Sequence, residues 1–254
     1  MRELTVPRAG GITAALFAAW ADADPHRPRL VWYGTGRTEL STASLMNWSA
    51  KTAGYLVDEL GAMPGSPVLW RVRRSWQGLP LLLGCWWAGL TVVDDEAMAG
   101  DVVAAFVDVG DDADADEVVV ASPHPFGLAV PDLPALQRNV ADAILPQADR
   151  FTPRSPGPGP GVPAVATGTG PLTVGEVLAG ATRAAAELGD EAVLLSTQIP
   201  ALPTGVITGP LAAWATGGTY VYTDLPAERV AVDERATATI GIDLPGVPRL
   251  GGRG

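Results

Sequence analysis

The sequence has few of the residues on which disulfide frameworks, zinc sites and thiol catalysis depend. It contains one cysteine, Cys85, and two histidines, His26 and His124, among 254 residues. One cysteine excludes an internal disulfide framework and is typical of a reducing cytoplasm. No cysteine–histidine cluster has zinc spacing. We interpret Cys85, in an apolar stretch, as a core residue, and both histidines, which lie beside prolines, as surface loop residues.

Positive charge is also scarce. The formal net charge is -11, and Lys51 is the only lysine among 17 basic residues. Nucleic acids require clustered cations, so we expect no nucleic-acid partner. The one cationic run, Arg71, Arg73 and Arg74, alternates with apolar residues and predicts a strand end. The acidic run within residues 108–117 predicts a solvated loop or an exposed helix, and a metal site is the sharper alternative.

Long apolar runs are missing as well. The longest stretch, residues 79–93, is interrupted by Pro80, Gly84 and Gly89, and it is too short to span a bilayer. The first residues, MRELTVPRAGG, lack the apolar core of a secretory signal. We therefore expect no membrane partner and a cytoplasmic location. Apolar residues still make up 47% of the chain, which indicates a folded globular protein.

Strand and helix signals alternate along both halves of the chain. This alternation predicts an α/β fold with two related lobes of mainly parallel sheet covered by helices. Ser41 is a predicted N-cap of a long helix that ends at Gly61. Asp132 and Pro134 predict the start of another helix. Thr173, followed three residues later by a glutamate, is a capping-box signature that opens a helix in the second half.

A segment rich in proline and glycine separates the two halves. We place a first lobe at residues 1–150, a linker at residues 151–163 and a second lobe at residues 164–254, with an N-terminal helix that can pack on the second lobe. A shared lobe topology explains a signature that occurs once in each half: Leu60-Gly61, Trp86, Gly89 and Thr91, then Leu188-Gly189, Trp214, Gly217 and Thr219.

One loop of small residues is a candidate ligand site. It comprises Thr167, Gly168, Thr169 and Gly170 and continues to Thr173. Its predicted place, after a strand and before a helix, lets backbone N–H groups and the helix dipole attract an anion, such as a phosphate of AMP or ATP. The loop half-matches a dinucleotide fingerprint, but Thr173 replaces the third glycine. The alternative is an ordinary strand–helix turn. No Walker A sequence and no nucleophile elbow occurs.

Segments in both halves resemble the opening of adenylate-forming enzymes, the superfamily of acyl-CoA synthetases, peptide-synthetase adenylation domains and luciferases. More narrowly, the chain resembles short actinobacterial homologues of these enzymes. The resemblance implies the fold of their N-terminal part. The segments that carry it are Leu40-Ser-Thr-Ala-Ser-Leu45, Lys51-Thr-Ala-Gly-Tyr-Leu56, Leu60-Gly61, Pro64-Gly65, Val68, Cys85-Trp-Trp-Ala-Gly-Leu-Thr-Val-Val93, Ala192-Val-Leu-Leu-Ser196 and Leu211-Ala-Ala-Trp-Ala-Thr-Gly-Gly-Thr219.

The departures from that pattern concern the chemistry. The enzymes' phosphate loop reads roughly [Ser/Thr]-Gly-[Ser/Thr]-Thr-Gly-x-Pro-Lys, whereas Thr167-Gly-Thr-Gly-Pro171 is shorter and no lysine follows. That lysine supplies positive charge to the ATP phosphates. The enzymes' adenine, magnesium and ribose motifs and the domain with the catalytic lysine would lie beyond Gly254.

We therefore expect a degenerate, non-catalytic member of the superfamily. It would bind a nucleotide (AMP or ATP, weakly) or a small acid, or act through a protein partner. We assign no catalytic residue and no metal ligand. The alternative is an active α/β enzyme, of the AMP-forming acid–CoA ligase type or dependent on a nucleotide cofactor, that uses residues 167–173.

Overall fold

In the computed structural model, which describes Leu4 and residues 11–98, 100–153 and 157–251, the chain forms two β-sheets with helices between them. The strands within these ranges are β1 (Pro28–Tyr33), β2 (Arg37–Ser41), β3 (Pro67–Arg71), β4 (Thr91–Val93), β5 (Ala104–Asp108), β6 (Val118–Ala121), β7 (Gln137–Asn139), β8 (Pro163–Thr167), β9 (Gly170–Thr173), β10 (Val193–Ser196), β11 (Thr219–Thr223) and β12 (Ala238–Ile240). The α-helices are α1 (Gly11–Ala23), α2 (Thr42–Gly54), α3 (Gly78–Trp87), α4 (Val140–Ala143), α5 (Val174–Ala185), α6 (Thr204–Val206), α7 (Ala212–Ala215) and α8 (Ala227–Asp233). The π-helical turn Tyr55–Glu59 extends α2, Ile207–Leu211 joins α6 to α7, and the 3₁₀ turn Glu96–Met98 follows β4.

Both sheets are mainly parallel. The five-stranded sheet has the order β12-β10-β11-β1-β2, in which only β2 is antiparallel to its neighbour. The seven-stranded sheet has the order β7-β6-β5-β3-β4-β8-β9, in which only β9 is antiparallel. The predicted fold class, two mainly parallel sheets covered by helices, is therefore confirmed.

The main core lies between the sheets. One face of each sheet contributes to it, with Leu30 and Trp32 from β1 and Val68 and Trp70 from β3, and α1, α2, α3, α5 and α7 fill the layer between them. The outer face of the five-stranded sheet is covered by α8. Because strands of a parallel sheet are buried on both faces, a sequence such as the Val-Val-Val-Ala of β6 is continuously apolar.

Several local predictions are confirmed. Ser41 is the N-cap of α2, and its hydroxyl accepts a hydrogen bond from the Ser44 N–H at 3.2 Å. Gly61 ends the π-helical extension of α2 at a φ of +69°, a conformation that favours glycine. Cys85 is 0% exposed in α3, as expected of a core residue. Its burial raises the pKa of the thiol, so the thiol is uncharged at neutral pH.

The helix predicted from Asp132 and Pro134 is wrong. Asp132 has a φ of +54°, which is incompatible with an N-cap in extended conformation. The chain forms turns there and then the strand β7, and only the short α4 follows. The Asn139 side chain holds this conformation, since its amide accepts from the Val130 N–H at 2.6 Å and donates to the Val130 carbonyl at 3.2 Å. The contact between Asn139 and Val130, nine positions apart in the chain, is thus made in place of the helix start that the capping residues predicted.

The division of the chain also differs from the one drawn at the proline- and glycine-rich segment. The hairpin β1–β2, placed in the lobe of residues 1–150, pairs with β11 in the sheet of the second half. The hairpin β8–β9, placed in the lobe of residues 164–254, pairs with β4 in the sheet of the first half. Each half therefore donates a hairpin to the other's sheet. A proline-rich segment indicates where the chain lacks regular secondary structure. It does not indicate which strands pair, because pairing joins strands far apart in the sequence.

The repeated tryptophans hold these donated hairpins. Trp86 at the end of α3 donates its indole N–H to the Ala164 carbonyl in β8 at 3.0 Å. Trp214 in α7 donates its indole N–H to the Arg29 carbonyl in β1 at 2.7 Å. Both tryptophans are 2% exposed. The sequence signature shared by the two halves thus marks equivalent positions of two structurally related sheets.

The threonines of the same signature make a second equivalent pair of contacts. The Thr91 hydroxyl donates to the Pro163 carbonyl at 3.2 Å, and the Thr219 hydroxyl donates to the Pro28 carbonyl at 2.7 Å. Both hairpins have a register shift directly after these prolines. The N-terminal helix α1 lies beside both sets of helices, because it contacts α3 and α2 as well as α5 and α7.

Candidate functional site at the β8–β9 hairpin

The loop predicted as a ligand site is the tip of the β8–β9 hairpin. Thr167 ends β8 opposite Gly170, which begins β9, so Gly168 and Thr169 form a two-residue connection. Gly170 has a φ of +108°, which a larger residue rarely adopts. The hydroxyls of Thr167 and Thr169 lie 2.9 Å apart. A Cβ atom at Gly168 or Gly170 would meet no atom within 4 Å, so the tip is open.

The structure separates Thr173 from the other four predicted site residues. Thr173 pairs with Pro163 at the opposite end of the hairpin, about 10 Å along β9 from Gly170 at roughly 3.3 Å per residue. The expectation that the loop runs from a strand directly into a helix is therefore wrong. The N-terminus of α5, with its dipole, lies at Thr173 and not at the hairpin tip.

The helix start is also already occupied by the chain itself. Thr173 and Glu176 form the predicted capping box: Glu176 Oε2 accepts from the Thr173 N–H and from the Thr173 hydroxyl, each at 2.8 Å. The Thr173 hydroxyl in turn accepts from the Glu176 N–H at 3.3 Å. The bonds from Thr173 lower the pKa of the Glu176 carboxyl. Thr173 is thus a helix cap and takes no part in the tip.

No lysine is available to the tip. Lys51 is the only lysine of the sequence. Its Nζ donates to the carbonyls of Leu145, at 2.9 Å, and Gln147, and it pairs with Asp149 Oδ1 at 3.0 Å. This ammonium group therefore anchors the segment after α4 to α2. The last residue of β4, Val93, pairs with Ala166 of β8, so the residue that follows the strand next to the tip is Asp94.

The carboxyl edge of the seven-stranded sheet carries cations that the sequence analysis assigned only to a strand end. Arg71, the last residue of β3, is paired with Glu96. The exposed Arg73 and Arg74 follow, and their side chains form no ion pair with a described residue. Since β3 and β8 are separated by β4 alone, these arginines follow the carboxyl end of a strand about 10 Å from β8. The sequence feature that points to these cations is the run of Arg71, Arg73 and Arg74 at a predicted strand end.

The acidic run begins with a structural contact rather than in solvent. Asp108, at the end of β5, is 4% exposed, and its carboxylate accepts hydrogen bonds from the N–H groups of Arg73 and Arg74, the shortest at 2.8 Å and 3.1 Å. Burial raises the pKa of Asp108 despite these bonds. Its predicted place in a solvated run is wrong. Among the residues that the structure describes, no group of three histidines, cysteines or carboxylates is arranged to hold a metal ion.

The other hairpin tip, which is equivalent by topology, is covered. The Thr35 hydroxyl donates to the Pro123 carbonyl at 2.6 Å, and the Thr38 hydroxyl donates to the Pro125 carbonyl at 2.8 Å. The β1–β2 tip is therefore fastened to the loop that follows β6. None of the described helices is long and apolar enough to cross a membrane.

The two mainly parallel sheets form a fold that this chain shares with the N-terminal part of solved adenylate-forming enzymes. A fatty acyl-adenylate ligase from L. pneumophila has a TM-score of 0.70 at 14% identity, over 92% of this chain and 44% of that one. Coronafacic acid ligase from Pectobacterium brasiliense has a TM-score of 0.72 at 12% identity, over 90% of this chain and 49% of that one. An acyl-CoA synthetase from Brucella canis has a TM-score of 0.72 at 14% identity, over 91% of this chain and 47% of that one. The chain thus spans about half the length of these enzymes.

A relative that is matched over most of its length gives the narrower assignment. The chain is 34% identical over 224 residues to a TIGR03089 family protein of Mycobacterium tuberculosis, over 83% of this chain and 88% of that protein. The chain belongs to the TIGR03089 family. The expected resemblance to short actinobacterial relatives of adenylate-forming enzymes is confirmed. No family model matches the sequence.

Proposed function

We propose that this protein is a non-catalytic member of the adenylate-forming superfamily that binds a phosphate-bearing nucleotide, such as AMP, weakly at the β8–β9 tip. The observation that carries the proposal is the position of Lys51. The tip has the small residues that let a phosphate approach, but the only lysine of the sequence is held by Leu145, Gln147 and Asp149.

The geometry supports binding more than catalysis. The exposed Thr169 and the two glycines leave the tip open, and the Thr169 hydroxyl lies 2.9 Å from that of Thr167, which is itself buried. Phosphoryl chemistry depends on cations placed at the oxygens where charge develops. The residue that follows the neighbouring strand β4 is Asp94 and not a cation, and Arg73 and Arg74 follow β3, one strand farther away. We expect affinity in the millimolar range, for which a binding free energy of about 4 kcal/mol suffices.

Titration with AMP and with inorganic phosphate, followed by NMR of the backbone amides, tests the binding. We expect saturable shifts at Gly168, Thr169 and Gly170. Pro171→Lys, at an exposed position next to the tip, adds a cation and should tighten binding of both ligands. Thr35→Ala on the covered hairpin is the matched control and should leave the affinity unchanged. Shifts that occur only elsewhere would refute the site.

Exchange of pyrophosphate into ATP tests the absence of catalysis. We expect no acid-dependent exchange with acetate, benzoate or octanoate by the purified protein. Exchange that depends on an acid and is lost in Thr167→Val or Thr169→Val would establish the alternative, an active acyl-adenylate-forming ligase that uses this hairpin.

A further inference from the structure

A groove lies on the outer face of the seven-stranded sheet, between the two chain segments that join β5 to β6 and β6 to β7. Its volume is about 570 Å³. Residues 109–112 of the first segment line it, together with residues 130–137, which lead into β7. The structure describes both segments without interruption, because they lie within residues 100–153.

The groove exists because neither connection contains a helix. Parallel strands are usually joined by a crossover that includes an α-helix packed on the sheet. Here the described residues 109–117 and 122–136 form turns and irregular chain. The outer face is covered by the small Ala113 and Ala115 and by Leu133, which pack against its buried valines. Two loops thus take the place of the helices, and the groove remains between them.

The walls of the groove are mostly apolar. The lining includes two prolines, an alanine and four larger apolar residues, Val109, Val130, Leu133 and Leu136. Val109 is 38% exposed and Leu136 is 90% exposed, although large apolar side chains are usually buried. Exposed apolar side chains that occur together, rather than singly, mark surfaces on which other molecules bind.

Negative charge lies at the same groove. Asp111, Asp112 and Asp132 line it, and none of the described lining residues has a positively charged side chain. Asp112 Oδ1 accepts a hydrogen bond from the Ala113 N–H at 2.9 Å. None of the three carboxylates forms an ion pair with a described residue. The groove therefore combines apolar walls with a charge that attracts cations.

Hydrogen bonds hold the two segments in place. Gln137 Nε2 donates to the Asp111 carbonyl at 3.1 Å, and this bond joins one segment to the other. The Gln137 N–H donates to the Pro134 carbonyl at 2.9 Å. The two bonds between Asn139 and Val130 fasten the start of the second wall. The groove is thus preformed, which reduces the entropy lost on binding.

We propose that this groove is a docking surface for a partner protein that presents a segment with both apolar and basic side chains. The apolar side chains would occupy the space lined by Leu133 and Leu136, and the basic ones would pair with Asp111 and Asp132. Charge complementarity selects this partner, because the groove is acidic and the whole chain has a net charge of -11.

The apolar surface extends beyond the groove, which indicates a protein rather than a small amine. Leu128 is 58% exposed and precedes Val130 by two residues, so their Cα atoms are at most about 7 Å apart. Phe126 lies two residues earlier and is 82% exposed, in a loop held by the bond from the Trp76 indole N–H to the His124 carbonyl at 3.2 Å. Aromatic side chains held in this way are typical anchors of protein interfaces.

Docking at this groove is independent of nucleotide binding at the β8–β9 tip. The groove shares no described residue with Thr167–Gly170. It lies at the connections of β6, and β6 and β8 are four strand positions apart in the sheet, about 19 Å at roughly 4.8 Å per position. Failure of one proposal therefore leaves the other unaffected.

Three peptides of equal length separate charge from apolarity. They are acetyl-Leu-Lys-Leu-Lys-Leu-amide, the same peptide with glutamate for lysine, and the same peptide with serine for leucine. With the full chain at pH 7, we expect the leucine–lysine peptide to shift the backbone amide NMR signals of Val130, Leu133 and Leu136 in a saturable manner. Reversed charge or lost apolar contact should each weaken binding at least about tenfold.

The same titrations distinguish the other occupants. An affinity for either altered peptide equal to that for the leucine–lysine peptide would overturn the proposal, as would the absence of saturable shifts at these three residues. Hexylamine bound as tightly as the leucine–lysine peptide would show a site for small amines instead. Shifts of the same signals on dilution of the protein alone would show a second copy of the chain as the occupant. Either result would also overturn the proposal.

Variants with matched changes of charge locate the docking. Asp111→Asn together with Asp132→Asn removes two carboxylates from the groove, and asparagine tolerates the left-handed backbone at residue 132, where φ is +54°. The leucine–lysine peptide should then bind at least about fivefold more weakly. Asp114→Asn together with Asp116→Asn makes the same change at exposed residues of the same loop outside the groove, and should weaken binding less than about twofold.

A third variant tests the apolar space itself. Ala135→Trp places a large ring at an exposed lining position, so it should abolish the saturable shifts in a protein that still folds. Equal losses of affinity in the two double variants, or unchanged binding in Ala135→Trp, would overturn the proposal.

Discussion

The two exchanged hairpins attach to their sheets in the same way and end differently. Trp214 and Trp86 fasten β1 and β8 by equivalent hydrogen bonds. The β1–β2 tip is then bound by the loop after β6, and a Cβ atom at Gly36 would come within 3.0 Å of Pro125. The β8–β9 tip meets no such loop. The loop that covers the β1–β2 tip follows β6 of the seven-stranded sheet. The described part of the five-stranded sheet has no strand equivalent to β6, and therefore no equivalent loop to cover the β8–β9 tip.

The largest effect is expected from the two tryptophans. Trp214→Ala and Trp86→Ala should each lower the free energy of unfolding by about 3–5 kcal/mol, because each removes a buried ring and an indole hydrogen bond. Urea denaturation followed by circular dichroism measures both. If the hairpins are equivalent, the two losses will agree within about 1 kcal/mol. A difference between the two losses of more than about 1 kcal/mol would show that the two hairpins are not held equally.

The next largest loss of unfolding free energy is expected at Arg29 of β1. The equivalent position of β8 is Ala164, so the two hairpins differ here. The buried Arg29 guanidinium donates from Nε to the Thr42 hydroxyl at 2.8 Å and to the carbonyl of Gly217 after α7. Burial, and then the charge of Arg27, lowers the pKa of Arg29 to about 10, so the group stays charged at neutral pH.

Replacement of Arg29 by alanine leaves these acceptors without a partner and should cost about 1.5–3 kcal/mol of unfolding free energy. Arg27→Ala is the matched control. It removes an ion pair with Glu191 at the surface and should cost less than about 1 kcal/mol. Equal stabilities of the two variants in urea would show that Arg29 does not fasten the hairpin.

The two tips themselves should respond differently to loss of a hydroxyl. Thr38→Ala removes the bond to the Pro125 carbonyl and should cost about 1 kcal/mol. Thr169→Ala, at the open tip, should change the unfolding free energy by less than about 0.5 kcal/mol. Thermal unfolding of both variants beside the wild type makes the measurement. A cost at Thr169 as large as that at Thr38 would mean that the β8–β9 tip is also structural.

The smallest effect is expected where the hairpins lead into their helices. The pKa of Glu176 is lowered in the folded protein by its bonds to Thr173, so its contribution to stability is present above its unfolded pKa and is lost as the pH falls through the folded value. Glu176→Gln should thus be less stable than wild type at pH 7, and the difference should shrink as the pH falls below the unfolded pKa of Glu176 and vanish below the folded value. Ser44→Ala, at the equivalent position of α2, should show no such pH dependence.

The sequence by itself determined the local features of this protein. The caps at Ser41 and Thr173 and the α/β alternation depend on residues within a few positions of each other, so they can be predicted without knowing the fold. The lack of a lysine for a phosphate loop is a property of composition. The tryptophan signature indicated two related lobes because it occurs once in each half of the sequence.

Only the tertiary structure decided which strands pair and which groups are free. It placed β1–β2 and β8–β9 in each other's sheets and made Thr167–Gly170 a hairpin tip remote from the start of α5. It also buried Asp108 beneath the N–H groups of Arg73 and Arg74 and fastened Val130 to Asn139 where a helix was expected. These outcomes depend on contacts between residues far apart in the chain, and strand and cap propensities carry no information about them.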